Sequence, residues 1–432
     1  MHVDEEISGV RPLGGAARWW LHHSLSALAE TLREHGVPLV LLRGDPEEQI
    51  PALVEEVHAT AVLWNRRYHE PKRAVDARLK ASLRTRDVRV ESFDGYLLHE
   101  PWTITTQSGG PYQVYSPFAR ACREGRPPRE PHGLPGDLAG PQGHVRADGH
   151  EVHSWLRAET FEQELSARGW LPTAPDWAGG LRENWTPGEA GARERLAQLG
   201  DLLTDYAEDR ERPGTPGTSS LSPHLRFGEV SPHEVWHHSL SAGRGTGPET
   251  FRSELLWREF AWHRLYHLPD LATQNVRSQF DAFEWREDDD ALRAWQQGHT
   301  GIDLVDAGMR ELWAIGWMHN RVRLVVASFL TKNLRLHWRL GEEWFWDTLV
   351  DADDASNPFN WQWVAGTGDD AAPYFRVFNP ERQQERFDPQ GEYVRRWVPE
   401  VGDESAEQVT PIVDLKASRR DALAAYAALK EQ

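Results

Sequence analysis

Apolar residues recur at helical spacing through residues 18–35. The stretch stops at Gly36, the residue type best suited to the left-handed turn that closes a helix. A short apolar run at 39–42 follows, bounded by Arg43-Gly44-Asp45-Pro46. Helical spacing returns over 47–58 and again over 72–86; the strand-like Thr60-Ala-Val-Leu-Trp64 separates the two and a strand-like 88–92 follows. Strands alternating with helices at this interval predict parallel βαβ units, an α/β domain of the doubly wound, Rossmann-like kind over 1–124. That architecture normally opens with a strand and a phosphate-facing turn. Only His2-Val3 hints at one, so the expectation is an incomplete domain whose first strand-helix unit is missing, by real loss or by a misassigned start.

Between Gly125 and Gly149 the periodicity fades and eleven of 25 residues are Gly or Pro, so 125–187 reads as a long interdomain linker. From 188 to 432 helix follows helix with few strand signals, which predicts an all-helical second domain. Ile302, Val305, Met309 and Leu312 form one helical stripe, and 342–349 and 416–429 are further helices. The fold class is therefore α/β followed by all-α.

Composition narrows the function. A single cysteine, Cys122, excludes an intramolecular disulfide framework and a Cys-rich zinc site, and fits a reducing cytoplasm. The longest aliphatic run, 324–330, is far too short to span a membrane, and the first residues lack the basic and apolar segments of an export signal. The net charge, 48 − 67 = −19, argues against a generally basic coat. Positive charge is instead local: residues 302–340 hold six Arg or Lys against three Asp or Glu. The 21 tryptophans exceed what packing alone requires, and twelve lie beyond residue 250.

Three segments could carry chemistry. In Gly217-Thr-Ser-Ser-Leu-Ser222, hydroxyls and backbone N–H groups converge just ahead of a helix that Pro223 and Phe227 suggest. That suits a phosphate, although local chemistry alone favours a polar, N-capping turn. In Gly316-Trp-Met-His-Asn-Arg-Val-Arg323, Asn320 and Arg323 share a helical face while Arg321 points elsewhere. In Asp351-Ala-Asp-Asp-Ala-Ser-Asn-Pro358, the carboxylates lack the Gly and distal Glu of a calcium loop, so no metal is expected. Pro358 is expected to end or bend any helix, placing Asn357 on irregular backbone beside Trp361 and Trp363.

Taken together, these segments resemble the photolyase/cryptochrome family. The likeness is carried by Thr218–Ser222 with His224-Leu-Arg-Phe-Gly-Glu229, by Glu254-Leu-Leu-Trp-Arg-Glu-Phe260 and by Gly316–Arg323. Trp361-Gln-Trp363 and Phe375-Arg-Val-Phe-Asn-Pro380 complete it, all in the family's order and spacing. Within the family, the nearest likeness is to microbial class I cyclobutane pyrimidine dimer photolyases. The resemblance implies an α/β antenna domain and a helical domain holding FAD. The implied activity is light-driven splitting of pyrimidine dimers in UV-damaged DNA by electron transfer from reduced FAD. A monomer is implied, with the dimer flipped out of the duplex into a pocket.

By position, the resemblance implies that Tyr206, Thr218, Ser219, Ser220, Leu221 and Ser222 hold the phosphate and ribitol region of FAD. Arg323 and Asp351 pair beside its ring system, with Ala352 and Asp353 at the polar edge and Asn357 opposite N5. Asn is the photolyase choice there, since plant cryptochromes carry Asp. Glu254, Trp257, Asn320 and Trp363 line the lesion pocket. Arg210, Arg258, Arg321, Arg376 and Gln383 match DNA-contacting positions. Trp361, Trp338 and Trp285, in that order outward, match an electron-transfer chain. A second antenna chromophore of folate or deazaflavin type belongs to the family. The family opens with a strand followed by an Arg-Arg-Asp-Leu-Arg motif; neither is present here, so the antenna domain reads as incomplete and a second chromophore is not expected to be retained. The chain departs further at Leu324, where class I members usually carry Met, which predicts weakened repair, and in a short segment between Val401 and Val409. The alternative the resemblance leaves is a cryptochrome-like blue-light receptor without repair turnover.

Overall fold

The computed structural model describes residues 7–136, 158–369, 375–401 and 409–430. The first region runs α1 (Gly15–Glu34), α2 (Pro46–Glu56), β1 (Ala61–Asn65), α3 (Glu70–Arg84), β2 (Arg89–Phe93) and α4 (Tyr115–Glu124). The second opens with α5 (Ala158–Ser166), α6 (Gly179–Asn184), α7 (Glu189–Leu202), α8 (Tyr206–Asp209), α9 (Ser222–Phe227), α10 (Pro232–Ser241) and α11 (Thr246–His267). It continues through α12 (Asp289–Gln297), α13 (Asp303–Ile315), α14 (Asn320–Ser328), α15 (Trp338–Thr348) and α16 (Ser356–Ala365). The last helices are α17 (Pro380–Phe387), α18 (Glu392–Trp397) and α19 (Leu415–Lys430).

Local chemistry sets many of these bounds. Asp45 caps α2 through the Glu47 N–H at 2.8 Å, with Pro46 as its first residue, where a missing N–H costs nothing. Ser231 caps α10 through the Glu234 N–H at 3.1 Å. Helices α12, α13 and α16 each end on a left-handed glycine, Gly298, Gly316 and Gly366.

The expected βαβ unit is present. Strands β1 and β2 pair in parallel, Ala61 opposite Arg89 through Asn65 opposite Phe93, with α3 as the crossover. Val54, Leu83, Val88 and Val90 pack around the sheet. Among the described residues the sheet has two strands. His2-Val3 lies outside the described residues, as do 402–408 of the short segment before Val409.

Two expectations need correction. The 125–187 stretch is not a linker throughout, because α5 and α6 lie within it and are packed. Phe161, Leu165 and Trp170 join Leu21, Leu25 and Leu41, while Leu181 and Trp185 join Trp19 and Trp20. Pro358 does not end a helix. It stands third in α16, in the first turn, where its missing N–H needs no intrahelical partner; Asn357 is therefore helical and buried.

The two regions meet closely. A Cβ on Gly14 would come within 2.1 Å of the Trp346 carbonyl oxygen, and the Gly15 N–H donates to Asp347 at 2.8 Å, so α1 seats directly on α15. The largest core cluster gathers α12 to α16 around Trp295, Trp338 and Trp361. Several buried indoles find an acceptor: Trp185 donates to the Ile315 carbonyl at 2.7 Å and Trp295 to the Val326 carbonyl at 3.1 Å. Among the described residues, no helix is long and apolar enough to cross a membrane.

Candidate functional site

A cavity of about 290 Å³ opens between the 206–222 segment, α11, α14 and α16. The 218–222 turn forms one wall. Gly217 lets it approach α8, because a Cβ there would sit 2.3 Å from the Asp209 carbonyl oxygen, and Ser220 adopts a left-handed φ of 52°. Thr218, Ser219, Ser220, Leu221 and Ser222 all face the cavity, with Tyr206 beside them. Ser222 Oγ donates to Asp351 at 2.7 Å, tying this turn to the opposite loop.

Helix α14 presents Asn320 and Arg323 to the cavity and leaves Arg321 outside its walls, as the spacing predicts. Arg323 grips Asp351 with both terminal nitrogens, at 2.9 and 3.2 Å, and its Nε donates to the Met318 carbonyl at 2.7 Å. Leu324, the departure from the class I pattern, also lines the cavity. The three neighbouring carboxylates have separate partners. Asp353 accepts the Ala355 and Ser356 N–H groups at 2.8 and 2.5 Å, capping α16, while Asp354 pairs with Lys72 of α3 at 2.8 Å. Ala352 and Asp353 stand in the cavity wall.

On α16, Asn357, Asn360, Trp361 and Val364 share one cavity-facing side. The Asn357 amide nitrogen donates to the Glu342 carbonyl at 3.0 Å and to its carboxylate at 2.8 Å. The carbonyl oxygen is then the group Asn357 can offer the cavity, an acceptor. Glu342 is buried, which raises its pKa, and Arg11 donates to both carboxylate oxygens at 2.9 Å. Glu254 on α11 completes the rim. Burial raises its pKa, while Arg210, 3.0 Å away, opposes the shift.

The wall chemistry fits a large, anionic, aromatic cofactor. Arg210 Nε and Arg258 Nη2 are buried donors with no hydrogen-bond partner, which suits an acceptor-rich ligand. Hydroxyls and one further cation, Arg323, line the cavity, and Leu221, Leu255, Phe345 and Trp361 supply apolar surface.

Not every predicted residue joins this cavity. Trp257 stacks on Tyr115, ring centroids 3.6 Å apart, and lies outside the cavity walls. Trp363 faces a separate small cavity with Arg376, and Arg376 and Gln383 line a third. Arg321 pairs with Glu211 and lies over the Phe387 ring. Trp338 is fully buried, its indole N–H donating to Asn275 at 2.8 Å. Trp285 is half-buried, and the His337 ring stands 5.0 Å from it and 5.7 Å from Trp338.

Sequence reasoning missed Trp317, Phe345 and Asn360 in the wall, and Glu342 and Arg11 behind it. Asn360 could have been found, since 357, 360, 361 and 364 follow helical spacing. Arg11 and Glu342 could not, being 331 positions apart.

Residues 251–428 match the family described as the FAD binding domain of DNA photolyase, and residues 1–135 match the family described as DNA photolyase. Over its whole length the chain is 46% identical to a deoxyribodipyrimidine photo-lyase of Agrobacterium fabrum, covering 92% of that protein. It is 34% identical to cryptochrome-1 of Arabidopsis thaliana, over 90% of this chain and 56% of that one. A crystal structure of a class III photolyase from Agrobacterium tumefaciens superposes with a TM-score of 0.89 at 46% identity, covering 98% of this chain and 91% of the other. Its class differs from the class I likeness read in the motifs. The chain belongs to the photolyase/cryptochrome family.

Proposed function

We propose that the protein is a deoxyribodipyrimidine photo-lyase, a FAD-dependent enzyme that splits cyclobutane pyrimidine dimers in UV-damaged DNA under blue light. The observation that carries this reading is the gathering of Arg323, Asp351 and Asn357 with Glu254 and Asn320 in the walls of one cavity. Reduced FAD, excited by light, supplies the electron that opens the cyclobutane ring and recovers it afterwards.

The chain's own residues bind, orient and exclude water. Thr218 to Ser222 offer hydroxyl and N–H donors to the phosphates, with Tyr206 packed beside them. The Arg323–Asp351 pair fixes a charged wall beside the ring system, and Ala352 and Asp353 border its polar edge. Asn357 presents an amide that cannot titrate, so its acceptor persists at every pH. Arg258 adds an unpaired donor to the same wall.

A dimer inside a duplex cannot reach a buried cavity, so the lesion must leave the base stack. Glu254 and Asn320 stand at the cavity wall to hydrogen-bond its edges. Trp257, one face of which is covered by Tyr115, and Trp363 are assigned to stacking on bases, and Arg210, Arg321, Arg376 and Gln383 to contacting phosphates. Trp361, Trp338 and Trp285 form the path for charge from the cavity wall to the surface. The protein works as a cytoplasmic monomer, with an α/β unit over 1–124, a connecting region over 125–187 and a helical unit over 188–432.

The test is loss of dimers from a UV-treated oligonucleotide under blue light. Protein loaded with fully reduced FAD that removes none would overturn the reading. Leu324 in the cavity wall favours a second reading, a cryptochrome-like receptor, which predicts light-dependent partner binding without repair.

A further inference from the structure

We propose that the small cavity at the C-terminal end of α16 binds one small inorganic anion, of the size and charge of chloride, as the counter-ion of Lys332 and Arg277. The cavity has a volume of about 20 Å³, and its walls hold Arg277, Lys332 and Arg376 but no Asp or Glu among the described residues. About 10–15 Å³ of such space holds one water, so the cavity admits a single-atom ion and is too small for a phosphodiester.

Lys332 supplies the reason for an ion. Two Lys or Arg side chains are buried among the described residues, Arg264 and Lys332. Arg264 has a counter-charge, Asp369, at 2.6 Å. Lys332 is 1% exposed, and its ammonium makes no hydrogen bond or ion pair among the described residues. It lies over the Phe375 ring, 3.4 Å from the centroid. A ring face offsets only part of the hydration that an ammonium loses on burial. Asp369, the described carboxylate nearest in sequence to the cavity residue Gly366, is the one Arg264 has taken.

The backbone leaves a place for the ion beside that ammonium. Lys332 stands in the π-helical turn Phe329–Asn333 that extends α14, a wide turn of the kind that recurs at functional sites. Its Nζ approaches Gly366, the left-handed residue that closes α16. A Cβ on Gly366 would lie 3.7 Å from Nζ, 3.6 Å from the Phe375 ring and 3.7 Å from the Phe280 ring, so the missing side chain leaves an open position against the ammonium. Arg277 is fastened to the same corner. Its Nη1 donates to the Gly366 carbonyl at 3.1 Å and its main-chain N–H to the Thr367 carbonyl at 2.8 Å. Neither bond neutralises the guanidinium, and Arg277 enters no ion pair among the described residues.

A water in this space would satisfy donors and leave the charge; a small anion does both. Burial lowers the pKa of Lys332, and an anion in contact would favour the ammonium again. The ion also has a mechanical role. Val364 stands in the walls of both this cavity and the candidate site, so a filled cavity braces the last turn of α16 from behind.

The experiment follows urea unfolding of the full-length, FAD-loaded protein as sodium gluconate is replaced by sodium chloride at constant ionic strength. Gluconate is too large for the cavity. An ion that binds only the folded state should raise the folded-to-unfolded ratio saturably, by about tenfold at a chloride concentration ten times its Kd. Lys332→Met keeps the side chain's length without its charge and should lose this response, while effects of the salts on solvent act on both proteins alike. Arg277→Gln keeps a donor for the Gly366 carbonyl and should need several-fold more chloride for half the effect, which serves if Lys332→Met does not fold. Bromide-soaked crystals of the wild type should show an anomalous peak in the cavity. A wild type whose stability responds no differently from Lys332→Met, or from Arg277→Gln where that variant is used, overturns the site and leaves Lys332 a neutral amine. A bromide peak without that difference is an adventitious ion only, and overturns it equally. Repair is not among the readouts, so failure of the repair reading leaves this test intact.

Discussion

Asn357 donates its amide nitrogen to Glu342 twice, to the main-chain carbonyl at 3.0 Å and to the carboxylate at 2.8 Å. Glu342 thereby decides which end of the amide meets the cavity. Arg11, brought from the chain's first segment by the seating of α1 on α15, holds that carboxylate at 2.9 Å and lies over Trp346.

Glu342→Ala removes the carboxylate acceptor but keeps the main-chain carbonyl, so the amide should lose one of its two hydrogen bonds and be held less firmly. We expect a loss of about 1–3 kcal/mol in unfolding free energy by urea titration. The flavin absorbance band should shift in FAD-loaded protein, since the group opposite the ring is less firmly fixed. Glu342→Gln keeps a carbonyl acceptor and should recover most of the stability but not the grip of Arg11.

The Arg323–Asp351 pair is bidentate and mostly enclosed, with Asp351 at 6% side-chain exposure and Arg323 at 24%. Arg323→Ala would strand a buried carboxylate, and the partial exposure of the pair moderates the cost. An FAD affinity loss of about 2 kcal/mol, roughly thirtyfold, is expected by fluorescence titration. Arg323→Lys should recover only part, because a point charge cannot span both oxygens.

The comparison of sequence with structure divides along the length scale of the signal. The parallel strands at 61–65 and 89–93 were legible because short strand-like runs between helical stretches are local signals, and their bounds moved by only a residue. Thr218–Ser222, Asn320 with Arg323, and Asp351 to Asn357 were legible as continuous or helically spaced segments, and they do meet in one cavity. Helix α5 was hidden because the Pro- and Gly-rich run before it coloured the whole stretch, although Phe161 and Leu165 stand four apart and both are buried. Pro358 misled because a proline in the first turn and one that ends a helix look alike until the helix start is known. Which tryptophans face the cavity depends on tertiary packing: Trp361 does, while Trp257 is occupied by Tyr115.

Glu259 on α11 sets a pH dependence. It is fully enclosed and accepts the Leu98 and His99 N–H groups at 2.9 and 3.0 Å, tying α11 to the first region. Burial pushes its pKa up from 4.5 to about 7. A raised carboxyl binds its proton more tightly in the folded state, so its contribution to stability is complete below about 4.5 and is lost as pH rises toward about 7. Gln at this position can accept the same two N–H groups without ionising. The stability of Glu259→Gln relative to wild type should therefore improve between pH 4.5 and 7 and then level off, read from urea midpoints at pH 5 and pH 8. A flat difference across that range would contradict the assignment.

Trp361, in the wall of the cavity, is held by a close approach from α15. A Cβ on Gly341 would sit 2.1 Å from the far edge of the Trp361 ring and 2.6 Å from Leu330. The ring cannot move away freely, since Phe345 packs edge-on against it at 4.9 Å and Trp295 at 6.1 Å. Gly341→Ala should therefore cost about 1–3 kcal/mol through overpacking, even though alanine favours helix. Strain of this kind falls first on the side with free volume, which is the cavity, so the indole should tilt into the space the cofactor needs. We expect reduced FAD retention on gel filtration and slower light-driven reduction of the FAD that remains. Replacing Leu330 with Ala in the same chain should relieve part of the clash. If Gly341→Ala keeps wild-type stability and wild-type FAD content, the wall is softer than its packing implies.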